Sequence, residues 1–380
     1  MAFILPDNGF ARVGGAFDGI QNAADELRAT YGYNVQVYDN LFGADREVLA
    51  AKVDFDAFAG SIGKNSQMIF EGYNTVPGDM NKGETYYQSP LDCLMNGINT
   101  SKCVGIDGDG GAYDVIEVSV FGIVFKNFYF YNVNPAVGSV CVCFFEAGGG
   151  IHNVSFISCK FDEAESAMEG LGWGGTMRDC YFGDSLTNPV KTATYHGTAV
   201  NCVFNTEGHV YGPSLEYTAY EGCLFYKGNY GAKLSAPNSF VNCVFYGQLI
   251  SCIWATDSAD AIATGHNNIF IPAEAADNVL YAVNASGSMS DDAMKNSCVW
   301  TIAGVAMTNH ISIDGKTRQL SSVVEADPQF VDAANCDFRL KPESPCLNKG
   351  FRTIGNTSED DDGYTTIGAW QRISYLLGMK

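Results

Sequence analysis

Short segments in the middle of the chain repeat one pattern of apolar and polar positions. In each segment Cys occupies position i and Phe occupies position i+2, the spacing that places two side chains on one face of a β-strand. Successive Cys residues of this motif are 21, 22, 21 and 20 residues apart, with Gly, Asn and Pro between them. The motif comprises Cys159 with Phe161, Cys180 with Phe182, Cys202 with Phe204, Cys223 with Phe225 and Cys243 with Phe245.

A strand this short cannot bury its apolar face alone, so the repeat predicts stacked coils whose strands pair in parallel. Cys would then stack on Cys, and Phe on Phe, in an interior column with a rise of ~4.8 Å per coil. Looser copies of the motif are Asn268-Ile-Phe270 and Cys298-Val-Trp300, and 121–130 resembles the same strand without Cys. The sequence therefore predicts an all-β chain built as a parallel β-helix of about 20–22 residues per coil.

The two ends of the chain depart from this repeat. Phe17, Ile20, Ala24 and Leu27 have helical spacing, and a short amphipathic helix there would cover the first coil. We therefore expect a cap region with a short helix over 1–65, the β-helix over 66–350 and an irregular C-terminal cap over 351–380. Residues 66–73 read as an early strand and turn. The pattern assigns no elements to 31–65, and 255–325 is less regular.

Composition and charge exclude several classes of protein. Apolar residues make up 46% of the chain and charged residues only 17%, which excludes a disordered protein. The 43 acidic residues outnumber the 22 basic ones, for a net charge of -21. With no dense basic run, nucleic acid is not an expected partner. No stretch reaches the ~18 apolar residues of a membrane span, so we expect no membrane association.

The N-terminus and the cysteines indicate a chain that is made in the cytoplasm and not exported through a secretory signal. The first residues, Met1 to Gly9, contain neither a basic leader nor an apolar core of signal-peptide length. Thirteen Cys is an odd number, and reduced thiols are the default in an unexported chain. Neither a C-x-x-C motif nor a His cluster is present, so a zinc site is not expected.

Three parts of the chain resemble the right-handed parallel β-helix proteins of the pectate-lyase-like superfamily. The first, 16–23, resembles their N-terminal capping helix, and the Cys-x-Phe segments resemble their central coils. The third resembles the closing segment of bacterial surface β-helix proteins with a choice-of-anchor terminus. It consists of 326–332, 336–340, 344–347 and 367–370. The resemblance implies a single right-handed parallel β-helix and does not specify a chemistry.

Two departures from that group favour a structural protein of a virus particle. Secreted members carry signal peptides and anchoring tails, and this sequence shows neither. Bacteriophage virion proteins share both departures and often use β-helices, although this step is an analogy between folds. We therefore expect a non-enzymatic virion protein: a capsid decoration, spike or fibre subunit on a particle surface, with other assembly subunits as partners. A homo-oligomer is expected, and surface polysaccharide is a further candidate partner.

Two alternatives stay open, a polysaccharide-degrading enzyme and a glycan-binding adhesin. A lyase acting on an acidic polysaccharide would need a Lys or Arg base, for which Lys191 and Lys233 are candidates. A glycoside hydrolase would need two carboxylates at a set separation, for which Asp162 and Asp184 on neighbouring coils are candidates. Acidic residues on any two neighbouring coils could satisfy this spacing, so the signal is weak and a solvated face is the simpler explanation.

Aromatic residues near the turns are the candidates for binding a glycan or a partner protein. Exposed rings can stack on sugars or pack against another chain, although burial under loops is the simpler explanation. The candidates are Trp173, Tyr195, Tyr211, Tyr217 and Tyr230.

No cofactor is expected. The only candidate metal is Ca²⁺, for which Asp360, Asp361 and Asp362 could supply carboxylates, but such a run is also typical of a solvated loop.

Overall fold

The computed structural model divides the chain into two compact units, Met1–Gly197 and Thr198–Lys380. We call them the N-terminal unit and the C-terminal unit. Residues described by the structure are 10–12, 36–39, 47–48, 53–55, 68–72, 87–118, 122–144, 153–184, 186, 190–194, 197–256, 262–274, 278–282, 293–347 and 349–350. The predicted capping helix over 16–23 and the acidic run Asp360 to Asp362 lie outside these residues, so both stay predictions.

Short strands make up most of the described part of each unit. The N-terminal unit contains β1 Phe10–Arg12, β2 Gln36–Asp39, β3 Glu47–Val48, β4 Val53–Phe55, β5 Met68–Gly72, β6 Val104–Gly111, β7 Ile116–Val118, β8 Ile123–Lys126, β9 Phe128–Val133, β10 Val140–Phe144, β11 Val154–Ile157, β12 Lys160–Phe161, β13 Ser166–Trp173, β14 Thr176–Arg178, β15 Tyr181–Phe182 and β16 Lys191–Thr194.

The C-terminal unit continues the same pattern of short strands. It contains β17 Thr198–Val200, β18 Val203–Asn205, β19 Ser214–Leu215, β20 Ala219–Glu221, β21 Leu224–Tyr226, β22 Tyr230–Leu234, β23 Asn238–Val241, β24 Val244–Tyr246, β25 Ser251–Ala255, β26 Ala263–His266, β27 Ile269–Ile271, β28 Asn278–Ala282, β29 Met294–Lys295, β30 Ser297–Val299, β31 Ile311–Ile313, β32 Lys316–Arg318, β33 Val323–Val324, β34 Phe330–Asp332 and β35 Asp337–Leu340.

Within each unit the strands of the coils form three sheets, which the chain visits in turn, and in the C-terminal unit β34 and β35 form a separate two-stranded sheet. In the N-terminal unit, sheet A1 has the order β1-β2-β5-β8-β11-β14, sheet B1 the order β3-β6-β9-β12-β15 and sheet C1 the order β4-β7-β10-β13-β16. In the C-terminal unit, sheet A2 is β17-β20-β23-β26-β29, sheet B2 is β18-β21-β24-β27-β30-β33 and sheet C2 is β19-β22-β25-β28-β31-β32. The pairings are parallel except for the hairpins β31–β32 and β34–β35. This architecture confirms the predicted parallel β-helix.

The interior of each unit is a column of stacked aromatic rings. Phe161 stacks on Phe182 with ring centroids 5.1 Å apart in the N-terminal unit. In the C-terminal unit Phe225 stacks on Phe204 at 5.2 Å and on Phe245 at 4.3 Å, because parallel pairing places these residues in register. These side chains are fully buried, as are the Cys side chains two residues before them. Each unit thus derives its core from the Cys-x-Phe motif.

The residue before each motif Cys bends the chain from one sheet to the next. Ser158, Asp179, Asn201, Gly222 and Asn242 have φ between 53° and 63°, in the left-handed region. Asn, Asp and Gly adopt this conformation more readily than other residues, which explains why the motif begins with them. The thiols of Cys180, Cys223 and Cys243 each donate to a carbonyl of the preceding coil, as Cys180 does to Phe156 at 3.4 Å.

The strand pairing of β27 with β30 shows that one copy of the motif begins at a different residue from the one proposed from the sequence. Ile269 pairs with Cys298 and Phe270 pairs with Val299, so Ser297 rather than Cys298 occupies the motif's cysteine position. Cys298 is therefore directed to the outer face of sheet B2, because adjacent strand residues alternate between faces. The sequence interpretation that aligned Cys298 and Trp300 with the motif is wrong. The spacing from Asn268 to Ser297 is 29 residues, longer than the regular coil.

Segments outside the coils cover the outer faces of sheets B1 and B2. In the N-terminal unit the helix α1, Pro90–Asn96, lies against β15, and Tyr181 on that strand is buried. Ser89 caps α1 by accepting the amide hydrogen of Asp92 at 3.1 Å, and Pro90 occupies the first turn. In the C-terminal unit the hairpin β34–β35 covers the rings of Tyr226 and Tyr246 on the outer face of sheet B2. No helix in the described part of the chain is long and apolar enough to cross a membrane.

We expect the stability of the C-terminal unit to depend on pH through His310. This side chain is fully buried, and its Nδ1 accepts the amide hydrogen of Leu320 at 3.1 Å. Burial lowers the pKa of His310, although Glu325 nearby opposes the shift. Because the folded-state pKa lies below the unfolded value, the neutral ring contributes stability above about pH 6.5, and this contribution is lost as pH falls through the folded-state pKa.

We expect the midpoint of denaturant unfolding to decrease between pH 7.5 and pH 5, and His310→Asn to reduce that decrease. The Asn amide oxygen can still accept from Leu320, but it does not titrate in this range. Unfolding curves of both proteins at the two pH values measure the difference. An unchanged pH dependence in the variant would assign the effect to other groups, such as His266, whose pKa burial also lowers.

Candidate functional site

Sheet C2 presents aromatic rings and a lysine on its outer face. Along β22, β25 and β28 the central residues alternate, with Ala232, Ile253 and Leu280 buried in the core. The residues that follow them are half-buried and point outward, and parallel pairing places these three in register: Lys233, Trp254 and Tyr281. Neighbouring residues of such a column are ~4.8 Å apart.

Two tyrosines complete the cluster from the adjacent turn. Tyr211 forms a parallel bridge with Tyr230 at the start of β22, and their ring centroids are 5.7 Å apart. The indole of Trp254 stacks on both rings, at 5.0 Å from Tyr211 and 4.9 Å from Tyr230. We call Tyr211, Tyr230, Lys233 and Trp254 the aromatic–lysine cluster.

The ammonium group of Lys233 lies over the rings of this cluster. Its Nζ is 4.9 Å from the ring centroid of Tyr211 and 5.4 Å from that of Trp254. Such cation–π contacts hold a lysine against an aromatic surface without neutralising its charge. Among the described residues Lys233 makes no ion pair, so the cluster combines a flat apolar surface with a cation. Burial raises the pKa of Tyr230, with smaller effects from Tyr281 and Tyr211, so its hydroxyl stays protonated at neutral pH.

The indole nitrogen of Trp254 has no acceptor. Its Nε1 is buried and donates to no group in the described part of the chain. A buried N–H without an acceptor costs ~1–3 kcal/mol, so such a group is either tolerated as strain or supplied with an oxygen from outside the chain. The indole that carries this donor stacks on the rings of Tyr211 and Tyr230, and the Nζ of Lys233 is 5.4 Å from its ring centroid.

The structure describes the other aromatic residues and the lysine proposed from the sequence only in part. Tyr217 is exposed in the turn before β20, with φ 49°. Trp173 and Lys191 are on β13 and β16 of the N-terminal unit, and their side chains lie outside the described part of the chain, as does all of Tyr195. Backbone pairing places Lys191 opposite Glu169, which in turn pairs with Cys143.

The two aspartates proposed as a carboxylate pair are offset by one residue. Phe161 pairs with Phe182, so Asp162 lies opposite Gly183 rather than Asp184. A Cβ atom on Gly183 would lie 2.3 Å from the carboxyl carbon of Asp162, which shows that the aspartate folds over that glycine. Asp162 accepts the amide hydrogen of Glu163 at 3.0 Å, and Asp184 is exposed.

Acidic residues and a thiol share the outer face of sheet C1. Glu117 pairs with Cys143 and Cys143 with Glu169, so their side chains follow one another along successive coils. Burial raises the pKa of Cys143 to about 12, with further contributions from Asp114, Glu117 and Glu169. This half-buried thiol is therefore a poor nucleophile. Within the described ranges, no three His, Cys, Asp or Glu residues are placed to hold a metal ion.

Sequence reasoning found Tyr211, Tyr230 and Lys233 separately but missed Trp254 and the contact among them. Trp254 pairs with Lys233, whereas Tyr230 pairs with Ser251, three residues earlier on the same strand. The indole therefore reaches diagonally across the sheet to the tyrosines. A signal for this surface is present in the sequence. The segments 232–234, 253–255 and 280–282 each have small or aliphatic residues on both sides of a Lys, Trp or Tyr, the pattern of a strand whose middle side chain points outward.

Comparison with known proteins supports the fold. No protein-family model matches the chain, and no curated protein matches its sequence. Among solved structures it is similar to pectate lyase Pel9A, with a TM-score of 0.52 and 11% identity over 92% of this chain and 90% of that one. A weaker similarity is to ORF18 of Geobacillus virus E2, with a TM-score of 0.31 and 14% identity over 76% of this chain and 58% of that one. At this level of identity, the similarity to Pel9A establishes a shared parallel β-helix fold and nothing about activity.

Proposed function

We propose that this chain is a structural subunit of a virion-type or other surface assembly that binds surface polysaccharide through its C-terminal unit. The observation that carries the proposal is the aromatic–lysine cluster on the outer face of sheet C2. The interior residues explain the stability of the coils, but they do not explain why outward positions in three successive coils are Lys233, Trp254 and Tyr281.

The chemistry of the cluster suits a sugar polymer. Aromatic rings present apolar surface to the C–H faces of pyranose rings, while hydroxyl, indole and ammonium groups hydrogen-bond to sugar oxygens. Lys233 would favour a sugar oxygen that carries negative charge, and the buried Nε1 of Trp254 would gain an acceptor only if the side chains around it moved on binding. A repeated coil also suits a repeating polymer, because the rise of a parallel stack continues the surface from one coil to the next.

Binding measurements on purified protein test this proposal. We expect the protein to bind at least one member of a panel of acidic and neutral bacterial polysaccharides, measured by calorimetry. Trp254→Ala and Lys233→Ala should each weaken that binding about tenfold, the size expected for one stacking or cation–π contact. The matched controls Leu249→Ala and Lys316→Ala remove an exposed apolar residue and an exposed lysine elsewhere, and should leave affinity unchanged.

The same panel separates binding from catalysis. A structural or adhesive protein binds polysaccharide without releasing products, whereas a lyase releases unsaturated uronate ends and a hydrolase releases reducing ends. Turnover that Lys233→Ala abolishes would establish the enzyme alternative and overturn the non-enzymatic role. Equal affinity of the wild type and the Trp254→Ala variant would overturn the assignment of the site.

Membership of an assembly is a separate part of the proposal. A subunit of a particle should be recovered with that particle, so mass spectrometry of purified particles from the source should detect this chain in fixed stoichiometry. A homo-oligomer should sediment as a species heavier than the 40.9 kDa chain. A stable monomer that is absent from such particles would contradict the structural role without affecting the polysaccharide site.

A further inference from the structure

A segment outside the coils packs onto the outer face of sheet B2. This segment, 326–347, contains the hairpin β34–β35, and we call it the strap. Its Phe338 packs edge-on against Tyr246 and Tyr226, with ring centroids at 5.1 Å and 6.3 Å, and against its own Phe330 at 5.3 Å. The strap therefore covers rings that would otherwise be exposed on the outer face of the sheet.

Hydrogen bonds fix the end of the strap against its beginning. The hydroxyl of Ser344 donates to the carbonyl of Pro328 at 2.6 Å, and the amide of Cys346 donates to the same hydroxyl at 3.1 Å. The thiol of Cys298 on β30 donates to the carbonyl of Ala326 at 3.2 Å. These three bonds bring 326–328, 344–346 and the outer face of β30 together.

The thiols of Cys298 and Cys346 meet beneath the strap. Both side chains are buried, and the hydrogen bonds above place both beside 326–328, close enough for the two thiols to affect each other. That contact, together with burial, raises the pKa of Cys298 well above its ordinary value. Cys298 is available for this contact because register directs it outward, at the position that Ile269 occupies in the coil before it.

We propose that Cys298 and Cys346 form a disulfide under oxidising conditions and so lock the strap onto the last coils of the C-terminal unit. The proposal does not depend on polysaccharide binding. A protein that leaves a reducing cytoplasm for an oxidising exterior would acquire this cross-link after folding, with no further rearrangement of the coils.

The reaction is ordinary thiol–disulfide exchange with a low-molecular-weight disulfide such as oxidised glutathione. One protein sulfur, as its thiolate, attacks a glutathione sulfur and releases one glutathione thiolate. The second protein thiolate then attacks the protein sulfur of the mixed disulfide, forms the S–S bond with it and releases the second glutathione as its thiolate. Two protein thiols are oxidised, one glutathione disulfide is reduced to two thiols, and the two protons pass to the released thiolates. Since both thiols are buried, the strap must open locally before the first step.

The motif cysteines of the interior column serve as an internal control for the strap cysteines. Cys223 also contacts two thiols, those of Cys202 and Cys243 on the neighbouring coils. These sulfurs point inward, and reaching them requires separation of the coils rather than opening of a peripheral segment. Selective oxidation should therefore distinguish the strap pair from the interior column.

Peptide mapping after oxidation tests the proposal. The folded full-length protein is incubated with oxidised glutathione, the remaining thiols are alkylated under denaturing conditions, and disulfide-linked peptides are identified by mass spectrometry. We expect one dominant cross-link, Cys298 to Cys346, with the loss of two hydrogen atoms from the intact mass. Cys346→Ser should abolish this cross-link, whereas Cys243→Ser should leave it intact. A native protein that forms no cross-link, or that forms one within the interior column instead, would overturn the proposal.

Limited proteolysis supplies a second readout that does not depend on a variant. Arg339 is exposed in the strap between the two cysteines and is followed by Leu340, so trypsin can cleave after it. After oxidation, cleavage at Arg339 should leave the C-terminal fragment attached under denaturing conditions until a reductant is added. The oxidised strap should also exchange its amide hydrogens at least ~10-fold more slowly than the reduced strap. Equal exchange rates in both forms would show that the bond does not lock the strap.

Discussion

Phe225→Ala should lower the free energy of unfolding by about 3–5 kcal/mol, the range observed when a buried Phe is truncated. Phe225 is fully buried and contacts four rings: Phe204 and Phe245 along the column, and Tyr220 and Phe240 edge-on from sheet A2. Its removal leaves a cavity that stacked coils cannot close, because ladder hydrogen bonds fix their separation. Equilibrium unfolding in urea, followed by circular dichroism, measures the change.

An exposed residue of the same unit is the matched control for this substitution. Lys316→Ala alters a side chain on the last strand of sheet C2 and should change stability by less than ~0.5 kcal/mol. If the two variants were equally stable, Phe225 would not be part of a packed column, and the interior described above would be wrong.

Gly265→Ala should destabilise the C-terminal unit by about 3 kcal/mol, the upper end of the usual cost of overpacking. Gly265 pairs with Phe240 on the neighbouring strand, and a Cβ atom on it would lie 2.0 Å from the carbonyl oxygen of Phe240. The obstacle is backbone that takes part in the parallel ladder, so it cannot move aside as a side chain could. Thermal and urea unfolding of the variant test this expectation.

Gly315 is the control for the effect of adding a methyl group alone. It has φ +74° and no atom within 4 Å of the added Cβ, so Gly315→Ala incurs only backbone strain, about 1 kcal/mol. A Gly265 variant that is no less stable than the Gly315 variant would contradict the close strand approach at Phe240.

The repeat was predictable because two independent periods agree. Spacing of two residues within each motif and of about 21 residues between motifs, as for Cys202 and Cys223, allows few arrangements other than stacked parallel strands. The bend before each Cys had a visible signal in Asn201 and Asn242, whose side chains tolerate left-handed backbone. The strand predicted over 66–73 is likewise present as β5.

The remaining features depend on contacts that the period does not encode. Cys298 aligns with the motif as a looser copy because Trp300 follows it at i+2, but the longer preceding segment shifts its register by one residue and reverses its face. The hairpin β34–β35 is antiparallel and carries no coil spacing, so its packing on Tyr226 and Tyr246 could not be inferred. The diagonal reach of Trp254 depends on side-chain direction rather than on sequence distance.

Native-state labelling of the thirteen cysteines tests the interior column most directly. A water-soluble alkylating reagent should leave the buried thiols of the interior column unmodified in folded protein, and should reach Cys298 and Cys346 only when the strap opens. The half-buried Cys143 should react first, and slowly, because its pKa is raised to about 12. Rapid modification of Cys159, Cys180, Cys202, Cys223 or Cys243 under the same conditions would contradict the stacked interior on which the fold and both proposals depend.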